Sequence, residues 1–133
     1  MKSKLMTMLF VFISLLSSAQ AYLGMSSKEV HSAFDDDEYS YATGYTDAGE
    51  FYIYGSDSLL QSSRMCYFGA DDKCYSYVLI LEIASYREIA SKLDMGYVRV
   101  GGCWSDDFTE VKVSHSDELN CYLVRYSKKS VDE

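Results

Sequence analysis

Residues 63–82 read SRMCYFGADDKCYSYVLILE. On either side of Gly69-Ala70-Asp71-Asp72 this stretch is rich in Tyr, Phe, Cys, Val, Ile and Leu, which suit a pleated, half-buried strand, whereas the four central residues are turn formers. Strand, short turn and strand make an antiparallel hairpin, and that hairpin commits the chain to a mainly antiparallel sheet. With the turn centred on Ala70, Cys66 and Cys74 face each other across it within bonding reach. A bridge closing so small a loop stabilises by about 2–3 kcal/mol.

Outward from this hairpin the period stays near two. Strands are expected at 38–45, 50–55, 63–69, 73–82, 97–103, 109–115 and 120–127. Asp47-Ala48-Gly49-Glu50 joins the first two, and Ser116-Asp117-Glu118 turns the last pair. Two helices interrupt the pattern. Ser26-Ser27-Lys28-Glu29 is a capping box preceded by Met25, which can staple onto Val30, and Val30, Ala33 and Phe34 then share a face. Asp35-Asp36-Asp37 should end this helix, because acids are unfavourable at the negative end of its dipole. Ser85-Tyr86-Arg87-Glu88 repeats the device, with Ile89, Ala90 and Leu93 as the stripe and Gly96 placed for a left-handed C-terminal residue. The expected fold is α+β: a mainly antiparallel sheet with two short helices on one face, in the order α-ββββ-α-βββ, which reads as a loose duplication of helix plus meander.

The first 21 residues, MKSKLMTMLFVFISLLSSAQA, form a secretory signal peptide: Lys2 and Lys4, an apolar run from Leu5 to Leu16, and the cleavage site Ala19-Gln20-Ala21. The run is too short to cross a bilayer comfortably, and no second one stops transfer. No Cys sits near the cleavage site to become the first mature residue, which excludes the lipoprotein route. The expected mature chain is a single domain, 22–133, secreted or periplasmic and with no stable membrane insertion. Loss of Lys2 and Lys4 takes the formal charge from −8 to −10. So acidic a chain has no basic patch for phosphate backbones, which speaks against nucleic acid as a partner. Proline is absent, and all four Cys residues lie in the exported part. In an oxidising compartment they read as disulfides, Cys103 with Cys121 by elimination.

The opening Leu23-Gly24-Met25-Ser26-Ser27-Lys28-Glu29-Val30 resembles the G-M-S/T-x-x-E-V start of small exported bacterial domains of the SmpA/OmlA and beta-lactamase-inhibitor-protein-like type. That resemblance implies short helices on antiparallel sheets and action by binding other proteins. The region from Met65-Cys66-Tyr67-Phe68 to Trp104 is similar to uncharacterised exported Bacteroidetes proteins, which implies no activity.

Catalysis and cofactors find little support in the residues. Zinc lacks any C-x-x-C, and His31 and His115 lie far from the Cys positions. Asp35-Asp36-Asp37-Glu38, Asp71-Asp72 and Asp106-Asp107 offer hard oxygens without EF-hand spacing. Ser114-His115-Ser116-Asp117 contains the letters of a triad, but neighbours in a hairpin point in different directions. No catalytic residue, metal or cofactor is therefore assigned. Tyrosine is the feature that points to binding. Tyr39, Tyr41, Tyr52, Tyr54, Tyr67, Tyr75 and Tyr77 crowd the first four strands, and alternation places Tyr52, Tyr54, Tyr75 and Tyr77 on a common face. Trp104, beside Cys103, either plugs the core or stands out as a ligand platform. The expected function is a non-catalytic module that binds another envelope or extracellular protein. A carbohydrate-binding accessory protein and a small hydrolase are the alternatives.

Overall fold

The computed structural model describes residues 19–57, 62–82 and 84–129. The expected signal peptide therefore lies outside the described residues except for its last three. Ala19–Tyr22 form a short 3-10 turn. Helix α1 (Ser27–Asp36) starts as its sequence demands: the Glu29 amide donates to Ser26 Oγ, and the Ser26 amide donates to Glu29 Oε1, both at 3.2 Å. It ends in a Schellman motif, in which the amides of Glu38 and Tyr39 reach the carbonyls of Asp35 and Phe34. The left-handed position of that motif is held by Glu38 at φ 59°, where a side chain is strained and a carboxylate faces the negative helix end. Glu38→Gly is accordingly expected to stabilise by about 1 kcal/mol, raising Tm by about 4 °C in a calorimetric scan. An unchanged or lower Tm would show that Glu38 has a compensating contact.

Helix α2 (Tyr86–Gly96) is capped by Ser85, whose Oγ accepts the Glu88 amide at 3.2 Å. Gly96 does not take the left-handed conformation expected of it. Tyr97 follows in extended geometry (φ −137°), its amide reaching the Leu93 carbonyl, so the chain passes directly into a strand.

Among the described residues eight strands form one antiparallel sheet: β1 (Ser40–Tyr45), β2 (Phe51–Asp57), β3 (Ser62–Phe68), β4 (Cys74–Leu81), β5 (Val98–Val100), β6 (Cys103–Ser105), β7 (Thr109–Ser116) and β8 (Cys121–Lys128). The spatial order is β1-β2-β3-β4-β8-β7-β6-β5. The single strand expected at 97–103 is thus two short ones, because Gly101-Gly102, with Gly101 at φ 64°, folds a tight turn between Val100 and Cys103. The order becomes α-ββββ-α-ββββ, and each four-strand meander contributes its last strand, β4 or β8, to the centre.

Directly paired residues share a face. One row across the sheet runs Ile53, Cys66, Tyr77, Tyr126, Val111 and Trp104; the next runs Gly55, Arg64, Leu79, Val124 and Val113. These rows join Val30 and Phe34 of α1 and Ile89, Ala90 and Leu93 of α2 in one buried cluster. Tyr22 completes it, stacked on Tyr77 at 4.8 Å. The Gly24 amide donates to the Cys74 carbonyl and the Cys74 amide to the Met25 carbonyl, tying the segment after Tyr22 to the start of β4.

Candidate binding surface

The opposite face of the sheet carries the complementary rows. Tyr52 pairs with Tyr67, Tyr54 with Met65, and Tyr67 with Ser76. Across the β4–β8 seam Val78 pairs with Arg125. Tyr52, Tyr54, Met65 and Tyr67 are half-buried. The rings of Tyr52 and Tyr67 are 6.4 Å apart, and the Arg125 guanidinium stands 5.5 Å from the Tyr67 ring while donating to Ser76 Oγ at 2.9 Å. The Tyr54 hydroxyl donates to Ser63 Oγ at 2.8 Å, so one end of that phenol is already satisfied. The result is an aromatic patch with a cation at its margin, a composition that suits protein contacts.

Not every tyrosine expected here belongs to it. Tyr77 is 1% exposed and lies in the core row between Cys66 and Tyr126. Its separation from Tyr75 comes from a register shift: Phe68 pairs with Cys74 but Tyr67 with Ser76, so β4 holds one extra residue, Tyr75, which breaks the alternation. Tyr75 remains 41% exposed and its hydroxyl donates to Glu50 Oε2. Trp104, 1% exposed, is core as well: its indole donates to Asp94 Oδ1 at 2.7 Å, and Arg99 covers the ring at 4.6 Å. Sequence reasoning had not selected Met65 or Arg125. Both are legible only once the register is known.

The cysteines miss each other for a different reason: with Phe68 opposite Cys74 the turn centres on Asp71 and not Ala70, so Cys66 would meet Ser76 even without the extra residue. Cys66 stands opposite Tyr77 and not Cys74, and all four cysteines are free thiols. Cys66 and Cys74 remain diagonal neighbours on the core face. The hydrogen bond with Cys74, together with burial, pushes the Cys66 thiol up, and the same bond holds Cys74 down. The pair Cys103 and Cys121 cannot close. Trp104 pairs with Val111 and Val111 with Tyr126, so Cys103 lies level with Arg125, four residues along β8 and two strands away from Cys121. That is roughly 15 Å, against about 7 Å for a bridge.

A second aromatic assembly surrounds Arg64, which is 1% exposed. Its Nη1 donates to the Tyr39 hydroxyl at 2.8 Å and its Nη2 to Ser62 Oγ at 3.2 Å, while Nε has no acceptor. Burial pushes Tyr22 up to about 12, against a smaller opposing pull from Arg64, and it raises Tyr39 and Tyr77 in the same way.

The residues weighed for catalysis do not converge on a reaction centre. His115 pairs with Asp117 at 3.0 Å on the exposed β7–β8 turn and packs on Tyr122, and His31 packs on Tyr41. Among the described residues no group of three or more His, Cys, Asp or Glu is placed to hold a metal, and no helix is long and apolar enough to cross a membrane. An open groove of about 360 Å³ along α2 is lined by Tyr86, Arg87, Ala90, Ser91, Asp94 and Arg99. No protein family, curated protein or solved structure matches this chain.

Proposed function

We propose that this chain is an exported, non-catalytic domain that binds another envelope or extracellular protein through the sheet face bearing Tyr52, Tyr54, Met65 and Tyr67. In this reading both helices take the other face, and Cys66 and Cys74 are the thiols available for a bridge in an oxidising compartment. The observation that carries it is the register: four large side chains stand directly opposite one another on β2 and β3, forming a continuous half-exposed patch. A patch of that kind on a sheet face marks a partner site more often than a bare surface.

The test is Tyr52→Ala and Tyr67→Ala, made separately, with denaturant unfolding and capture of envelope proteins measured on each. A residue that works at an interface can contribute about 2 kcal/mol to binding, while its loss from a half-exposed face alters stability by roughly 0.5–1 kcal/mol. The expected outcome is near-normal stability with loss of a species that the unaltered protein captures. Capture unaffected by either substitution would remove the reading's main support.

A further inference from the structure

The sheet has two edges, and they are built differently. At one end β5 has three residues and carries Arg99, a short, charged strand of the kind that discourages pairing. At the other end β1 has six residues, Ser40-Tyr41-Ala42-Thr43-Gly44-Tyr45, with no charge and no proline. Five of the six are exposed. The ladder to β2 is anchored by the Thr46 amide bonded to the Glu50 carbonyl at 2.8 Å. Alternation along an antiparallel pair then turns the N–H and C=O groups of Tyr41, Thr43 and Tyr45 away from β2. No described element pairs with them.

We infer that β1 is a strand-addition site that takes an extended peptide segment of a partner protein, uncharged over about six residues and flanked by Lys or Arg. Main-chain hydrogen bonds to Tyr41, Thr43 and Tyr45 supply the attachment. Charge supplies the choice of partner. Asp35, Asp36, Asp37 and Glu38, all exposed, precede β1, and Asp47 follows it. A basic flank at each end of the incoming segment meets an acidic one here. The same charges disfavour a second copy, since antiparallel pairing of two β1 strands brings each acidic end against the other's. The edge also adjoins the aromatic patch: Tyr52 lies over Gly44 so closely that a Cβ there would sit 2.6 Å from its hydroxyl. An added strand therefore runs beside the Tyr52 ring.

The inference rests on the reading of the chain as a protein-binding domain but uses a different surface, so the two fail separately. The probe is the synthetic peptide KKTVTVTVKK, with EETVTVTVEE and a backbone N-methylated KKTVTVTVKK as controls. Binding is followed by calorimetry and by amide hydrogen exchange on the full mature chain. The basic peptide is expected to protect the amides of Tyr41, Thr43 and Tyr45, and both controls to bind at least about tenfold more weakly, the effect of one or two lost hydrogen bonds. Thr43→Pro removes an outward N–H without touching the β2 ladder and is expected to weaken the basic peptide by a similar factor, with Thr43→Ser retaining it. The N-methylated peptide keeps the test valid if the proline variant does not fold. Equal binding of the basic and N-methylated peptides would reduce the contact to charge alone and overturn the inference. Protection of the three amides in peptide-free protein, growing with concentration, would assign the edge to a second copy and overturn it as well. Loss of captured partner in Tyr52→Ala with normal peptide binding would leave the edge standing and the patch as an independent site.

Discussion

Between pH 10 and 12 the protein is expected to lose most of its stability. Burial pushes Tyr22 and Tyr97 up to about 12 and raises Tyr39, Tyr77 and Tyr126 as well. Each of these phenols holds its proton in the folded chain beyond the pH at which the unfolded chain releases it. Below about pH 10 both states are protonated and the contribution is constant. As pH rises through the folded values, the unfolded state gains by ionising and stability falls. For Tyr22 alone the loss amounts to about 2–3 kcal/mol once pH exceeds the folded value. Several such groups act together on a total stability that for a small domain is usually about 5–15 kcal/mol. Denaturant unfolding at intervals from pH 8 to 12, with phenolate absorbance recorded in parallel, should show a flat region and then a steep decline. Tyr22→Phe should make the decline shallower. Stability maintained to pH 12 would mean that these rings are not enclosed as described.

Gly55→Ala carries the second large effect. A Cβ at this position would lie 2.8 Å from Cε2 and 3.0 Å from Cδ2 of Phe34. Phe34 is fully buried and packed between Tyr22, at 5.7 Å, and Tyr39, at 5.6 Å, so its ring has nowhere to retreat. Overpacking of this kind costs about 2–3 kcal/mol. Denaturant unfolding should register it, and Phe34→Leu in the same chain should recover part of the loss by trimming the ring that clashes. A Gly55→Ala variant as stable as the parent would show that α1 can shift away from β2. Gly44 makes an instructive contrast: the nearest atoms to a Cβ there belong to the far end of the Tyr52 side chain, on a half-buried face, and not to a fully buried ring.

Local chemistry accounts for what was legible in the sequence. The capping box at Ser26 and Glu29 and the cap at Ser85 are formed by residues three apart, so no tertiary information is needed to find them. The hairpins at Asp47 to Glu50 and Gly69 to Asp72 follow from turn residues between apolar strands, and they yield antiparallel pairs. Hence the α+β class and the first four strands, β1 to β4, were readable directly. The strand at 97–103 was misread because Gly101-Gly102 was counted within a strand when two adjacent glycines favour a two-residue turn.

The binding patch was readable only in part. Tyr52 and Tyr54 lie two apart on an unbroken strand, where alternation holds. Tyr75 and Tyr77 are also two apart, yet one extra residue in β4 sends Tyr77 into the core, and a turn centred on Asp71 in place of Ala70 separates Cys66 from Cys74. By itself, then, the sequence determined where the two helices and most of the strands lie, how the helices begin, and that successive strands pair antiparallel, because propensity, capping and turn geometry act over a few residues. Only the tertiary structure decided that β4 meets β8 at the centre, that Arg64 and Trp104 are enclosed, and which tyrosines face outward. Those outcomes depend on register and long-range packing, where a single inserted residue reverses the face of every side chain beyond it.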